Sequence, residues 1–203
     1  MGQAQLILLR HGQTAWNVDG RLNSTTDLTL SEQGRQELGV VRQALSSVQF
    51  AHVIASPLRR ARETAEIVAP QAEIKTDARL VEVNFGPFEA ARPQDLSGGP
   101  LAEAFRLWRR EPDPIIPEGA ENFHDAAQRG QDFLDSLCPV EQPILVVSHG
   151  VFLRVLLCSS ILGTNPCLYR RLRLDNGSVS VVQWENERPR LLQLNVHRGL
   201  AAS

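Results

Sequence analysis

The chain reads as an α/β protein: a mostly parallel central sheet covered by helices on both faces, with a small inserted cap. Three observations predict it. Short, continuously apolar runs alternate with segments of helical period. The early runs are apolar at consecutive positions, as strands buried on both faces are. One internal stretch breaks the alternation and is rich in proline.

The elements follow in order. Gln5–Arg10 (QLILLR) predicts the first strand. Leu30–Ser47 predicts a helix, opened by Ser31 with Gly34 in its first turn. His52–Ser56 (HVIAS) predicts a short buried strand, and Pro57–Ala69 a helix with proline at its start. Gly86–Asn122 holds six prolines and a Gly98-Gly99 pair around a short amphipathic helix at Leu101–Arg110. It reads as a cap, about residues 86–122, inserted into a single domain over 1–203. Pro143–Ser148 (PILVVS) predicts a third strand and Gly150–Gly163 a third apolar helix. Asp175-Asn176-Gly177 predicts a turn before two alternating late strands, Ser178–Trp184 and Leu191–Asn195.

Composition narrows the function. A net charge of −2 gives no reason to expect nucleic acid or an anionic membrane as partner. The apolar run after Gly150 is cut by Arg154 and is too short to span a bilayer. Met1 to Gln5 carry no basic stretch of the kind that opens a secretory signal. Cys138, Cys158 and Cys167 are scattered and have no ligand spacing. The expected setting is therefore the reducing cytoplasm, with free thiols. Lys75 is the only lysine, so a phosphate site must be built from arginine, histidine, asparagine and backbone N–H groups. A Walker loop is excluded.

Three of the predicted strands end in polar residues: Arg10-His11, Ser56 and Ser148-His149. The carboxyl ends of strands are where open α/β sheets bind ligands. Between them lies SPLRRARETAE, which puts Arg59, Arg60 and Arg62 at a helix start. Positive charge there opposes the helix dipole by about 0.3–1 kcal/mol per charge, whereas an anion is favoured. At least one of the three arginines therefore reads as an anion ligand, and the others as solvated. Cys167 and Arg173 match the Cys-x5-Arg spacing of cysteine phosphatases. CLYRRLR has none of the glycines such a loop needs, so the match reads as chance.

Taken together, these motifs resemble the histidine phosphatase superfamily, in its phosphoglycerate-mutase-like branch. LLRHGQTAWN carries the Arg-His-Gly signature with Asn17 six residues after the histidine. SPLRRARETAE matches the second arginine motif at Arg60. LVEVNFGPFEA resembles the Leu-x-Glu-x-x-Phe-Gly segment and places the acid at Glu82, with Glu89 as a rival. VVSHG matches the second histidine motif at His149. The order is the family's, along nearly the whole chain. Asn23-Ser24 stands where the family often has Gln-Gly, and Phe88-Glu89-Ala90 where it has Trp-Glu-Gly.

The resemblance implies a three-layer α/β/α sandwich. It also implies hydrolysis of small phosphorylated metabolites through phosphohistidine on His11. Arg10, Arg60, Asn17 and His149 would hold the phosphate and Glu82 would move the proton, with Asn23, Ser24 and Glu89 at the substrate rim. Arginines can fork onto phosphate oxygens, so no metal and no cofactor is expected. A homodimer stays open, as does the substrate among ribazole phosphate, phosphoserine and sugar bisphosphates. The alternatives are a cofactor-dependent phosphoglycerate mutase and a catalytically inactive phosphate-binding module.

Overall fold

A computed structural model describes residues 5–137, 142–185 and 188–197. Cys138 and the first four residues lie outside the described residues. The strands are β1 (Gln5–Arg10), β2 (His52–Ala55), β3 (Ile74–Thr76), β4 (Ile144–Ser148), β5 (Val179–Glu185) and β6 (Arg188–Val196). They form one sheet in the order β3-β2-β4-β1-β5-β6. β3, β2, β4 and β1 pair in parallel, while β5 runs antiparallel to β1 and to β6. The sheet is thus mixed, with its parallel half toward β3.

Helices cover both faces. They are α1 (Ala15–Val18), α2 (Glu32–Ala44), α3 (Arg59–Val68), α4 (Ala102–Trp108), α5 (Phe123–Asp135) and α6 (Gly150–Leu156). Because side chains alternate along a strand, β1 sends Leu6 and Leu8 into one core and Ile7 and Leu9 into the other. β4 divides likewise, with Val146 on the first side and Leu145 and Val147 on the second. The first core holds residues of α5 and α6, and the second those of α2 and α3. This is the expected three-layer arrangement.

Ser31 does cap α2, its hydroxyl accepting from Gly34 N at 3.0 Å. Gly34 is needed there, because a Cβ would collide with the backbone of Gln13. α3 starts later than the sequence suggests: Pro57 lies outside it, and its N-cap, Leu58, makes no side-chain capping bond. The third apolar helix stops at Leu156 and continues as a π-type turn over Leu157–Ile161.

Phe88, Phe105 and Trp108 of the proline-rich stretch pack into the first core beside Phe123. The Phe88 and Phe105 rings meet edge-on at 5.1 Å. Burying each such side chain contributes about 1.5–3 kcal/mol, so this segment is held by apolar contact despite its irregular backbone. No helix among the described residues is long and apolar enough to cross a membrane.

Candidate active site

Strand register assembles the site. Arg10 of β1 pairs with Ser148 of β4, and Ala55 of β2 with Val147. The next residues in each chain segment, His11, His149 and Ser56, therefore emerge side by side. His11 N donates to Ser148 O at 2.9 Å, and Ser56 N to Val147 O at 2.9 Å. The two imidazoles lie 5.1 Å apart, centre to centre. His11 is 4% exposed, and His149 and Arg60 are fully buried.

Each histidine has a defined tautomer. His11 Nδ1 lies 2.7 Å from Gly12 O, and a carbonyl can only accept. The proton is therefore on Nδ1, and Nε2 carries a free lone pair. His149 Nδ1 accepts from Arg60 Nε at 3.2 Å, which leaves Nε2–H to donate to Ser56 Oγ at 2.7 Å. Burial, then the charges of Arg60 and Arg10, push His11 well below the ordinary histidine range. Burial and Arg60 do the same to His149. Both rings are neutral at pH 7.

The three arginines at the start of α3 differ in burial. Arg60 is buried, while Arg59 and Arg62 are exposed. Arg60 NH1 donates to Thr26 O at 2.9 Å and NH2 to Ser24 O at 2.8 Å. Of its five N–H donors, three are engaged and two remain. Arg10 donates to Leu174 O at 2.7 Å, and its buried Nε has no partner among the described residues. Burial lowers the Arg10 guanidinium to about 10, so it stays charged at neutral pH. Gly150 makes room for it: a Cβ there would stand 2.9 Å from Arg10 Nε.

Glu82 is buried, and backbone N–H groups reach its carboxylate. Its oxygens accept from Val83 N at 2.9 Å, Phe152 N at 2.8 Å and Val151 N at 3.0 Å. It therefore caps α6 from another segment, where the N-cap residue His149 makes no side-chain capping bond.

Asn17 Oδ1 is filled by Thr14 N, Thr14 Oγ1 and Asn176 Nδ2, at 2.9, 3.0 and 3.1 Å. Only its amide nitrogen has donor capacity left. Ser24 and Glu89 bond one another, with Ser24 Oγ donating to Glu89 at 2.5 Å. Asn23 is buried, and neither of its side-chain polar atoms has a partner among the described residues. Cys167 is buried and Arg173 is exposed beside Asp175, so the Cys-x5-Arg pair forms no phosphate loop.

Sequence reasoning left three contributors out of the site. Asn176 donates toward His11 O and Gly12 O at 3.2 and 3.4 Å. Its only sequence signal is a turn, and pairing of β5 with β1 brings that turn to the site. Thr64 accepts from Gly12 N at 3.0 Å and donates to Arg60 O at 2.6 Å, tying β1 to α3. Ser56, noted only as a strand ending, orients His149.

The fold places the chain among α/β proteins that gather polar groups at the carboxyl ends of parallel strands. The sequence model of the histidine phosphatase superfamily (branch 1) matches residues 6–197, and the chain belongs to that superfamily. An Erwinia tasmaniensis protein named "Probable phosphoglycerate mutase GpmB" is 38% identical over 182 residues, covering 88% of this chain and 84% of its own. The α-ribazole phosphatase of Shigella flexneri superposes with a TM-score of 0.85 at 29% identity, over 97% of this chain and 99% of its own. The phosphoserine phosphatase of Entamoeba histolytica, solved with 3-phosphoglyceric acid, superposes at 0.84 with 26% identity, over 95% and 97%.

Proposed function

We propose that the chain is a metal-independent phosphatase of small phosphorylated metabolites, working through phosphohistidine on His11. The observation that carries this reading is the Nδ1–H bond to Gly12 O, which leaves Nε2 unprotonated and able to attack. Nε2 bonds to phosphorus as the P–O bond to the leaving group breaks, and Glu82 gives the leaving oxygen a proton. Water then attacks phosphorus, its proton passes to Glu82, and the N–P bond breaks.

Arg10 and the two spare donors of Arg60 neutralise the phosphoryl oxygens. The Asn17 amide nitrogen adds a neutral donor. The bonds of His149 support an orienting role, holding Arg60 through Nδ1. A direct bond from His149 to phosphate requires it to give up one of its two partners.

The test is a trapping experiment. Enzyme quenched with ³²P-labelled substrate is expected to carry acid-labile label on the peptide containing His11, with turnover unaffected by EDTA. Label on Cys167, or full activity in His11→Ala, overturns the reading; activity lost in EDTA and restored by Mg²⁺ overturns metal independence.

A second reading is a phosphoglycerate mutase, favoured by the names of relatives such as the Erwinia tasmaniensis protein. It requires phosphate to move between the oxygens of phosphoglycerate faster than it reaches water. Assays with and without 2,3-bisphosphoglycerate separate the two.

A further inference from the structure

The carboxylate of Glu89 makes all its bonds to one loop. It accepts from Ser24 N at 2.9 and 3.1 Å, from Ser24 Oγ at 2.5 Å and from Thr26 N at 3.0 Å. The carbonyls of the same two residues receive Arg60, through NH2 at 2.8 Å and NH1 at 2.9 Å. Ser24 Oγ also accepts from Phe85 N at 3.1 Å, so the loop is pinned from two directions.

From this geometry we infer that Glu89 is a positioning residue: by clamping the loop at 24–26 it sets the Arg60 guanidinium for phosphate. The inference rests on reading Arg60 as a phosphate ligand. It gives Glu89 a role that neither the acid nor the rim reading gives it.

The chemistry argues against a proton-donor role for Glu89. Burial pushes the Glu89 carboxyl up, but the hydrogen bonds from Ser24 and Thr26 outweigh it and hold the group below the usual carboxylate range. A carboxyl held below its ordinary range stays charged and is a poor proton donor at neutral pH. Among the described residues Arg60 has its only side-chain partner in His149, and the other hydrogen bonds of its guanidinium go to loop carbonyls. Holding a fork donor in one geometry needs those carbonyls held. A glutamine at 89 weakens the clamp, because in either orientation its NH₂ would face at least one backbone N–H that also donates.

The test is a double-mutant cycle of Glu89→Gln with Arg60→Ala, read as kcat/KM and as inorganic phosphate binding by ³¹P NMR, with Tm checked for each variant. Glu89→Gln is expected to weaken both roughly tenfold to hundredfold. The loss should be equal on alkyl and p-nitrophenyl phosphates, since a misplaced Arg60 does not depend on the leaving group. In the Arg60→Ala background the same substitution should cost less than about threefold, because neighbours acting through one group are not additive.

An equal loss in both backgrounds, or no loss at all, overturns the proposal. A nitrophenol burst in Glu89→Gln also overturns it and makes Glu89 the acid. Unchanged phosphate binding in Arg60→Ala instead defeats the reading of Arg60 itself. Should Glu89→Gln fail to fold, Ser24→Ala, which removes one bond of the clamp, goes through the same cycle. It is expected to give a smaller coupling of the same sign, and additivity there overturns the proposal.

Discussion

At Glu82 one carboxylate faces two demands. It accepts three backbone N–H bonds, two of which anchor the start of α6, and the proposed chemistry asks it to move a proton. The leaving group separates these roles. An alkoxide departs poorly without a proton, so Glu82→Gln is expected to lower kcat on an alkyl phosphate by roughly 10²–10⁴-fold. Nitrophenolate needs no proton, so phosphorylation should survive and hydrolysis of phosphohistidine should become limiting. Stopped-flow assay should then record a burst of nitrophenol followed by a slow steady rate. An equal loss on both substrates with no burst would leave Glu82 only its anchoring role.

The first turn of α6 follows β4 directly, and its glycine is set by a side chain from β1. Alanine at 150 would place a Cβ 2.9 Å from Arg10 Nε and 3.0 Å from Cζ. In a helix alanine is favoured over glycine by up to about 1 kcal/mol. The two effects act on different observables. Gly150→Ala is expected to keep or raise Tm while displacing Arg10. Phosphate inhibition should weaken about tenfold or more, as losing a charge-assisted bond does. A lower Tm with unchanged inhibition by phosphate would mean that Arg10 yields without leaving its place. α5 carries a related lesson. Its buried stripe, Phe123, Ala126, Gly130 and Phe133, follows a helical period behind the N-cap Asn122, whose side chain accepts from His124 N. Two of those four residues are small, which hides the stripe in a hydropathy reading. Gly130 lets the helix approach α6, where a Cβ would meet Leu156 at 2.8 Å.

For the molecule as a whole, two buried neutral histidines link folding to pH. In the unfolded chain each titrates near about 6.5, and in the native state each lies well below its ordinary value. Below about pH 6.5 the unfolded state therefore binds more protons, so stability falls on acidification and is restored as pH rises through that value. The slope reaches about 1.4 kcal/mol per pH unit for each imidazole. Urea unfolding between about pH 7.5 and 5.5 should show this decline, and His149→Ala should remove about half of it. A flat profile would mean that the native imidazoles accept protons. Asp77, Asp175 and Glu89, whose carboxyls are held below their ordinary values, contribute in a separate window: their stabilisation is present above about pH 4 and is lost below it.

The sequence by itself determined the strands that carry Arg10, His11 and His149, because uninterrupted apolar runs have few ways to be buried. It also determined which residue types could meet a phosphate. Among the three arginines at the start of α3 only the family resemblance singled out Arg60, which is buried where Arg59 and Arg62 are exposed. Several features were settled only by the tertiary structure. β3 is three residues long and holds Lys75, so it has no periodicity to read. The environment of Glu82 comes from backbone N–H groups of α6, some seventy residues away, and backbone groups leave no trace in residue identity. The tautomers of His11 and His149 and the clamp of Glu89 on the loop that holds Arg60 depend on which carbonyl or hydroxyl lies within 3 Å or so. Register between distant strands fixes that distance, and register is a property of the closed sheet.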